Sequence, residues 1–240
     1  MISKALKAIK ILFWDPHQIK YLIKGVAASF EHRAVIKTLG ISVLVDVGAN
    51  KGQFSLLAKT LFPSLKVFAF EPLQEPRKTY LDIFINHKGL NIYPYAIGES
   101  SSVETIHVSK KMDSSSLLPI SELQGSIYPG TEESHVEKIE VRRLENVLSS
   151  DDITGVSLLK IDVQGFELSV LNGSKELMPQ FTYAYIECSY IELYEGQALV
   201  TEILEFMIKA QFELIGIYNT SYSKNGSAVQ SDFLFRNKSS

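Results

Sequence analysis

The sequence predicts an α/β fold: a doubly wound, mostly parallel sheet of seven strands, ended by an antiparallel C-terminal hairpin and preceded by an N-terminal helical extension. Three observations predict it. Short apolar runs rich in valine and other large apolar residues recur at 43–48, 66–71 and 157–163, the pattern of strands buried on both faces. Helical segments stand between such runs, the rhythm of a parallel sheet covered on both sides. The last two strand-like segments, 212–218 and 231–236, are joined by a turn at Asn225-Gly226 with no helix between them, which calls for an antiparallel pair.

The elements follow in order. Ile2, Leu6, Ile9 and Phe13 stand at helical spacing with lysines between them, predicting a helix over 2–14. Pro16 suits the first turn of a second helix, which Gly40 closes. A strand at 43–48 leads to a helix at 54–61, stopped by Pro63, and a second strand at 66–71 leads past Pro72 to a helix reaching His87. A third strand spans 90–96. Residues 98–136, rich in serine and carrying Gly125, Pro129 and Gly130, read as a short hairpin and a mobile loop. A strand at 136–141 and a short helix at 144–148 come next. The α/β rhythm then resumes with a strand at 157–163, a helix from 167, a strand at 181–188 and a helix at 199–210.

At 240 residues, 45% hydrophobic and 21% charged, the chain fits one soluble domain, 43–240, with residues 1–42 as the extension. No apolar run approaches the ~20 residues of a membrane span. Lys4, Lys7 and Lys10 interrupt what would be the apolar part of a secretory signal. A single cysteine, Cys188, leaves no intrachain disulfide or multi-cysteine zinc site, and a cytoplasmic setting is expected. The net charge of −3 is uneven: residues 1–40 hold seven Lys/Arg against Asp15 and Glu31, so +5, leaving −8 for the rest. The acidic majority argues against a nucleic-acid partner. The basic extension could seat the protein on an anionic membrane surface, or simply pack on the domain or at a contact between copies; the oligomeric state is not legible.

In an open α/β sheet, ligands bind beyond the carboxyl ends of the strands. The first strand ends in Asp46-Val47-Gly48-Ala49-Asn50-Lys51-Gly52, where Gly48 and Gly52 allow a sharp turn and close approach to a ligand. This is neither the G-x-G-x-x-G of a dinucleotide site nor a P-loop. Asp46 beside the turn would repel a pyrophosphate but suits S-adenosylmethionine, which is net positive. Glu71, ending the second strand, is placed to accept hydrogen bonds from ribose hydroxyls. The plainer readings are a turn-capping acid for Asp46 and a solvated strand-end acid for Glu71.

These residues resemble the FkbM-type family of S-adenosylmethionine-dependent methyltransferases. The resemblance continues through Phe70-Glu71-Pro72, Ala96-Ile97-Gly98, the loop Ser114-Ser115-Ser116-Leu117, and Val141-Arg142-Arg143-Leu144. Its most specific part is Leu159-Lys160-Ile161-Asp162-Val163-Gln164-Gly165-Phe166-Glu167, where Gln164 departs from an expected glutamate, and Glu187 with Leu193-Tyr194-Glu195-Gly196-Gln197 completes it. The match runs over about 43–236 and leaves residues 1–42 outside. It implies the Rossmann-like class I methyltransferase fold and methyl transfer to a hydroxyl on a sugar, glycan or natural-product acceptor. It also implies a cofactor held by Asp46, Gly48, Asn50, Gly52, Phe70, Glu71, Pro72, Ala96, Ile97 and Asp162.

Methyl transfer to oxygen is an in-line displacement in which the protein aligns the partners and removes a proton. Asp162, at a strand tip, is the first candidate for base or positioner, with helix capping as its plainer reading. Glu187 ends the next strand and would face it. Glu167 reads equally well as a site residue or as an ion-pair partner of Lys160 or an arginine. Among His87, His107 and His135, His135 leads because it falls in the loop that would cover substrate. Tyr190 and Tyr194 are candidates for the acceptor pocket, Tyr183 and Tyr185 for core. Asp162 and Glu187 could instead chelate a divalent metal with the acceptor; the expectation is a metal-free site. Two other classes remain: a non-catalytic S-adenosylmethionine-binding module, and an NAD-dependent oxidoreductase, disfavoured by Asp46 and by the missing glycine fingerprint.

Overall fold

The computed structural model describes residues 10, 11 and 13–239. The stripe of Ile2, Leu6 and Ile9 with Lys4 and Lys7 lies outside the described residues. After a 3₁₀ turn at Pro16–Gln18, capped by the Asp15 carboxylate, come α1 (Ile19–Ile23) and α2 (Arg33–Ile36). The single helix expected across 16–40 is therefore broken. Gly25 takes a left-handed φ of 76° just beyond α1 and ends it.

β1 (Val43–Val47), α3 (Gln53–Leu61), β2 (Lys66–Phe70), α4 (Gln74–Phe84) and β3 (Leu90–Tyr93) follow the expected alternation. The region expected to hold a short hairpin and a mobile loop carries more regular structure than that. Ala96–Ile97 forms β4 apart from β3, and β5 (Ser102–Ser109) pairs antiparallel with β6 (Glu133–Arg142) in a three-stranded sheet of order β4-β6-β5. Between them, Ser121 caps α5 (Glu122–Ile127) by accepting from the Gln124 N–H. Polar β5 and β6 lack the valine runs of the main sheet, which is why this small sheet was hard to read. The helix expected at 144–148 is a 3₁₀ turn, Leu144–Asn146. Then come β7 (Ser157–Ile161), α6 (Glu167–Asn172), β8 (Tyr183–Ser189), α7 (Val200–Lys209), β9 (Phe212–Tyr222) and β10 (Ala228–Asn237).

The main sheet has seven strands in the order β3-β2-β1-β7-β8-β10-β9, and β10 runs antiparallel to both its neighbours. All five residues of β1 and of β7 are buried, as central strands covered on both faces must be. Alternation divides them between two cores. Val43, Val45 and Val47 cluster with Ile203 and Met207 of α7 and Val170 of α6. Leu44 faces the other way, with Leu57 of α3, Ile83 of α4, and Val26, Val35 and Ile36 of the N-terminal segment. Burying each such side chain contributes roughly 1.5–3 kcal/mol. The chain runs outward from β1 to β3 and returns at β7 on the other side of β1, so strand order reverses between β1 and β7. A crevice at that reversal is where an open α/β sheet takes its ligand.

Candidate active site

A cleft of about 560 Å³ opens over the carboxyl ends of β1, β2, β7 and β8, within the usual size range of small-molecule sites. Gly48 forms its floor with φ 79°, and a Cβ built there would sit 1.9 Å from the Asp162 carbonyl oxygen. Only glycine lets the β1 tip lie this close to β7. Asn50 turns the loop with φ 47°, a conformation asparagine tolerates. Its N–H donates to Glu71 Oε2 at 2.9 Å, while the Leu73 N–H donates to Oε1 at 2.9 Å. The two donors fix the Glu71 carboxylate at the tip of β2. Burial nonetheless pushes its pKa up to about 7, against the pull of those N–H groups and of the Arg77 charge. Phe70, Pro72, Ala96 and Ile97 line the same cleft, Phe70 stacking on Tyr93 at 5.0 Å.

Two of the residues proposed for cofactor binding lie elsewhere. Asp46 is fully buried and does not line the cleft. It shares the α3 side of the sheet with Leu44, accepts a hydrogen bond from Ser55 at 2.7 Å, and lies 3.3 Å from Lys160 Nζ. Lys160 stands directly opposite Asp46 in the β1–β7 register, so the two side chains share a face. Asp46 therefore does not meet a cationic cofactor as expected, because its carboxylate is met by Lys160. Gly52 turns away from the cleft, and a Cβ on it would strike Phe84 and Tyr80 at 2.7 and 2.8 Å. It serves the packing of α3 on α4.

At the tips of β7 and β8 the structure brings Asp162 and Glu187 together through Gln164. The Gln164 Nε2 donates to Asp162 Oδ1 at 2.8 Å and to Glu187 Oε2 at 2.9 Å. Lys160 Nζ also lies 3.6 Å from Asp162 Oδ2 and donates to the Gly48 carbonyl at 3.1 Å. Burial opposes the charge on Lys160, but Asp46 and Asp162 outweigh it and hold the ammonium well above its ordinary pKa. Glu187 is pushed well above the usual carboxylate range, by burial first and then by the charges of Asp162 and Asp232. Glu167 does not pair with Lys160. Its Oε1 accepts from the Val163 and Gly165 N–H groups at 3.2 and 3.0 Å and so shapes the turn between β7 and α6.

His135 sits on β6, not in a loop, and its side chain is 51% exposed beside Glu137, away from the cleft. His107 pairs with Glu133, and His87 bonds Tyr21; neither lines the cleft. The histidine that does is His32, which sequence reasoning passed over. Its Nδ1 lies 3.3 Å from Asp232 Oδ2 and 3.1 Å from the Tyr185 hydroxyl, and Asn219 Nδ2 donates to Asp232 at 2.8 Å. Among the tyrosines, Tyr185 and Tyr128 line the cleft, while Tyr190 and Tyr194 lie behind its wall. The Ser114–Leu117 loop does line it, as does Lys111. No local pattern marks His32, because its partners stand on β9 and β10 at the far end of the chain.

The family model described as methyltransferase FkbM domain matches residues 46–214. "2-O-methyltransferase NoeI" of Sinorhizobium fredii is 27% identical over 214 residues, covering 86% of this chain and 84% of that protein. "Methyltransferase sdnD" of Sordaria araneosa is 30% identical over 162 residues, covering 55% of this chain and 60% of that protein. Among solved structures, a SAM dependent methyltransferase from Aquifex aeolicus aligns over 92% of this chain and 98% of its own, at 14% identity and a TM-score of 0.44. Ser29, His32, Asn219 and Asp232 fall outside the matched span.

Proposed function

The chain belongs to the methyltransferase FkbM domain family, and on that premise we propose that it moves a methyl group from S-adenosylmethionine to a hydroxyl of a sugar or natural-product acceptor. The observation that carries this reading is one cleft holding both halves of the chemistry: Glu71 fixed at the β2 tip and the Asp162–Glu187 pair at the tips of β7 and β8. The residues present fit the cofactor. Gly48 lets the β1 tip turn at the cleft floor close against β7, and Glu71 keeps lone pairs beyond the two N–H groups it accepts, enough for a ribose diol.

S-adenosylmethionine, when bound, supplies a methyl carbon already activated by positive sulfur. With that group held by Glu71 and the loop after β1, the acceptor oxygen would take the methyl carbon as neutral thioether leaves with the carbon–sulfur electron pair, and Asp162 would accept the hydroxyl proton. Asp162 and Glu187 orient that hydroxyl. The far end of the cleft offers amide, hydroxyl and acid groups from Asn219, Ser221, Gln230, Ser231 and Asp232. Such a lining favours a neutral, hydroxyl-rich acceptor over a phosphorylated one.

Titration calorimetry with S-adenosylmethionine and NAD side by side tests the cofactor: the first should bind and the second should not. Labelled methyl transfer to a panel of alkyl glycosides and small alcohols tests the acceptor. Asp162→Asn should keep cofactor affinity while slowing transfer by about a hundredfold or more, as expected on losing a general base. Full activity in that variant would remove Asp162 from the catalytic group.

A further inference from the structure

Gln164 is where the two carboxylates meet. Its φ of 56° lies in the left-handed region, which a side chain of this kind occupies only when its surroundings fix it. They do so on every side. Glu167 accepts from the N–H groups of Val163 and Gly165, on either side of Gln164, and the Gln164 carbonyl accepts from Ser116 Oγ at 2.6 Å. The turn therefore aims the carboxamide between β7 and β8. Its Oε1 accepts from the Tyr194 hydroxyl at 2.8 Å, and that ring is held in turn by Gln124 Nε2 at 3.2 Å. The orientation of the amide follows from chemistry: carboxylates only accept, so the two Nε2 hydrogens go to Asp162 and Glu187, one each.

We propose that Gln164 is the positioning residue that makes this a metal-free carboxylate pair: its amide nitrogen stands between Asp162 and Glu187 where a divalent cation would otherwise bridge them, and it sets the direction in which both face the acceptor hydroxyl. The inference rests on the hydroxyl-transfer reading above. Close carboxylates repel unless a proton, a cation or donors stand between them. Here donors do, with Lys160 serving the outer oxygen of Asp162. A glutamate of the same size would exchange two donors for a third carboxylate, and three carboxylates around one point suit a hard divalent ion. The titratable groups facing the pair are Lys160 from β7, Glu167 from α6, Cys188 from β8, Asp232 from β10, Tyr128 just after α5 and Tyr194 from the segment after β8.

The test compares the wild type with Q164E. Manganese alone, followed by electron paramagnetic resonance, should find no saturable site in the wild type. It should find a new one in Q164E that a further Asp162→Asn change removes. On an acceptor the wild type turns over, Q164E should lower kcat by about tenfold or more with the cofactor KM unchanged, as two charge-assisted hydrogen bonds are lost. The rising limb of its pH–rate profile should move to higher pH, because the added negative charge holds the pair's last proton more tightly. Manganese binding by both proteins or by neither overturns the proposal. So does wild-type activity lost to EDTA and restored by magnesium, or a Q164E enzyme with the wild-type kcat and profile. Should Q164E fail to fold, the manganese and EDTA measurements on the wild type decide alone. Absence of turnover on every acceptor counts against the hydroxyl-transfer reading, while the metal titration still judges Gln164.

Discussion

On the proposed reading Glu71 accepts from the ribose hydroxyls as a carboxylate, yet burial raises its pKa to about 7. The sign follows. Below pH 7 the carboxyl is protonated in the empty cleft, so cofactor binding has to expel a proton and weakens as pH falls. Above pH 7 the affinity should level off. Calorimetry across pH 5.5–8.5 should therefore show S-adenosylmethionine affinity dropping about tenfold per unit on the acid side. Glu71→Gln should abolish that slope, and Glu71→Ala should cost about 1–3 kcal/mol of binding at pH 8. Equal affinity at pH 6 and pH 8 in the wild type would show that Glu71 does not hold the ribose. Gln164 acts at the same scale: one side chain ties the two candidate catalytic acids together.

At the scale of elements, the β1–β7 register decides what Asp46 and Lys160 do. Parallel pairing sets them opposite each other, and the two-residue period of a strand turns both toward α3. The pair is almost wholly out of water, with Asp46 at 0% and Lys160 at 8% exposure, so solvent screens it little. Removing one member leaves a buried charge uncompensated, and Lys160→Met should cost about 3–5 kcal/mol in urea unfolding. The double variant Asp46→Asn with Lys160→Met should recover much of that loss. A Lys160→Met protein as stable as the wild type would show the pair to be dispensable. Asp46 stays within β1 and between the sheet and α3, while Gly48, just beyond the last residue of the strand, forms the cleft floor.

Over the whole molecule, the cleft is closed by parts that lie far apart in the chain. The Ser29 N–H donates to the Gln53 carbonyl at the start of α3, and His32 sits beside Asn219 and Asp232. The extension thus reaches the site while presenting a different face outward. Phe13 and Ile23 are 88% and 81% exposed, with Lys10 and Lys20 also exposed. No helix among the described residues is long and apolar enough to cross a membrane. Cosedimentation with anionic vesicles decides between packing on the domain alone and a membrane contact: salt-sensitive binding, weakened in a Phe13→Ser, Ile23→Ser double variant, would speak for the contact, since basic residues near such a surface contribute about 1 kcal/mol each. Binding that ignores salt and both substitutions would rule out this surface contact. The alternation of strands and helices, the glycine turn at Gly48, Glu71 at a strand tip and the neighbouring Asp162 and Glu187 were all legible in the sequence. Each is written in local periodicity, in local backbone chemistry or, for Asp162 beside Glu187, in the strand order that the α/β alternation implies. Of the small sheet, a strand at 136–141 was legible, but β5 and the pairing of β4, β5 and β6 were not, because half-exposed polar strands carry little apolar signature. Nor were the partners of buried polar groups: Lys160 for Asp46, Gln164 between Asp162 and Glu187, Asp232 for His32. Those depend on strand register and on which segments fold over the sheet, and a linear pattern records that a residue is buried without recording what it meets there.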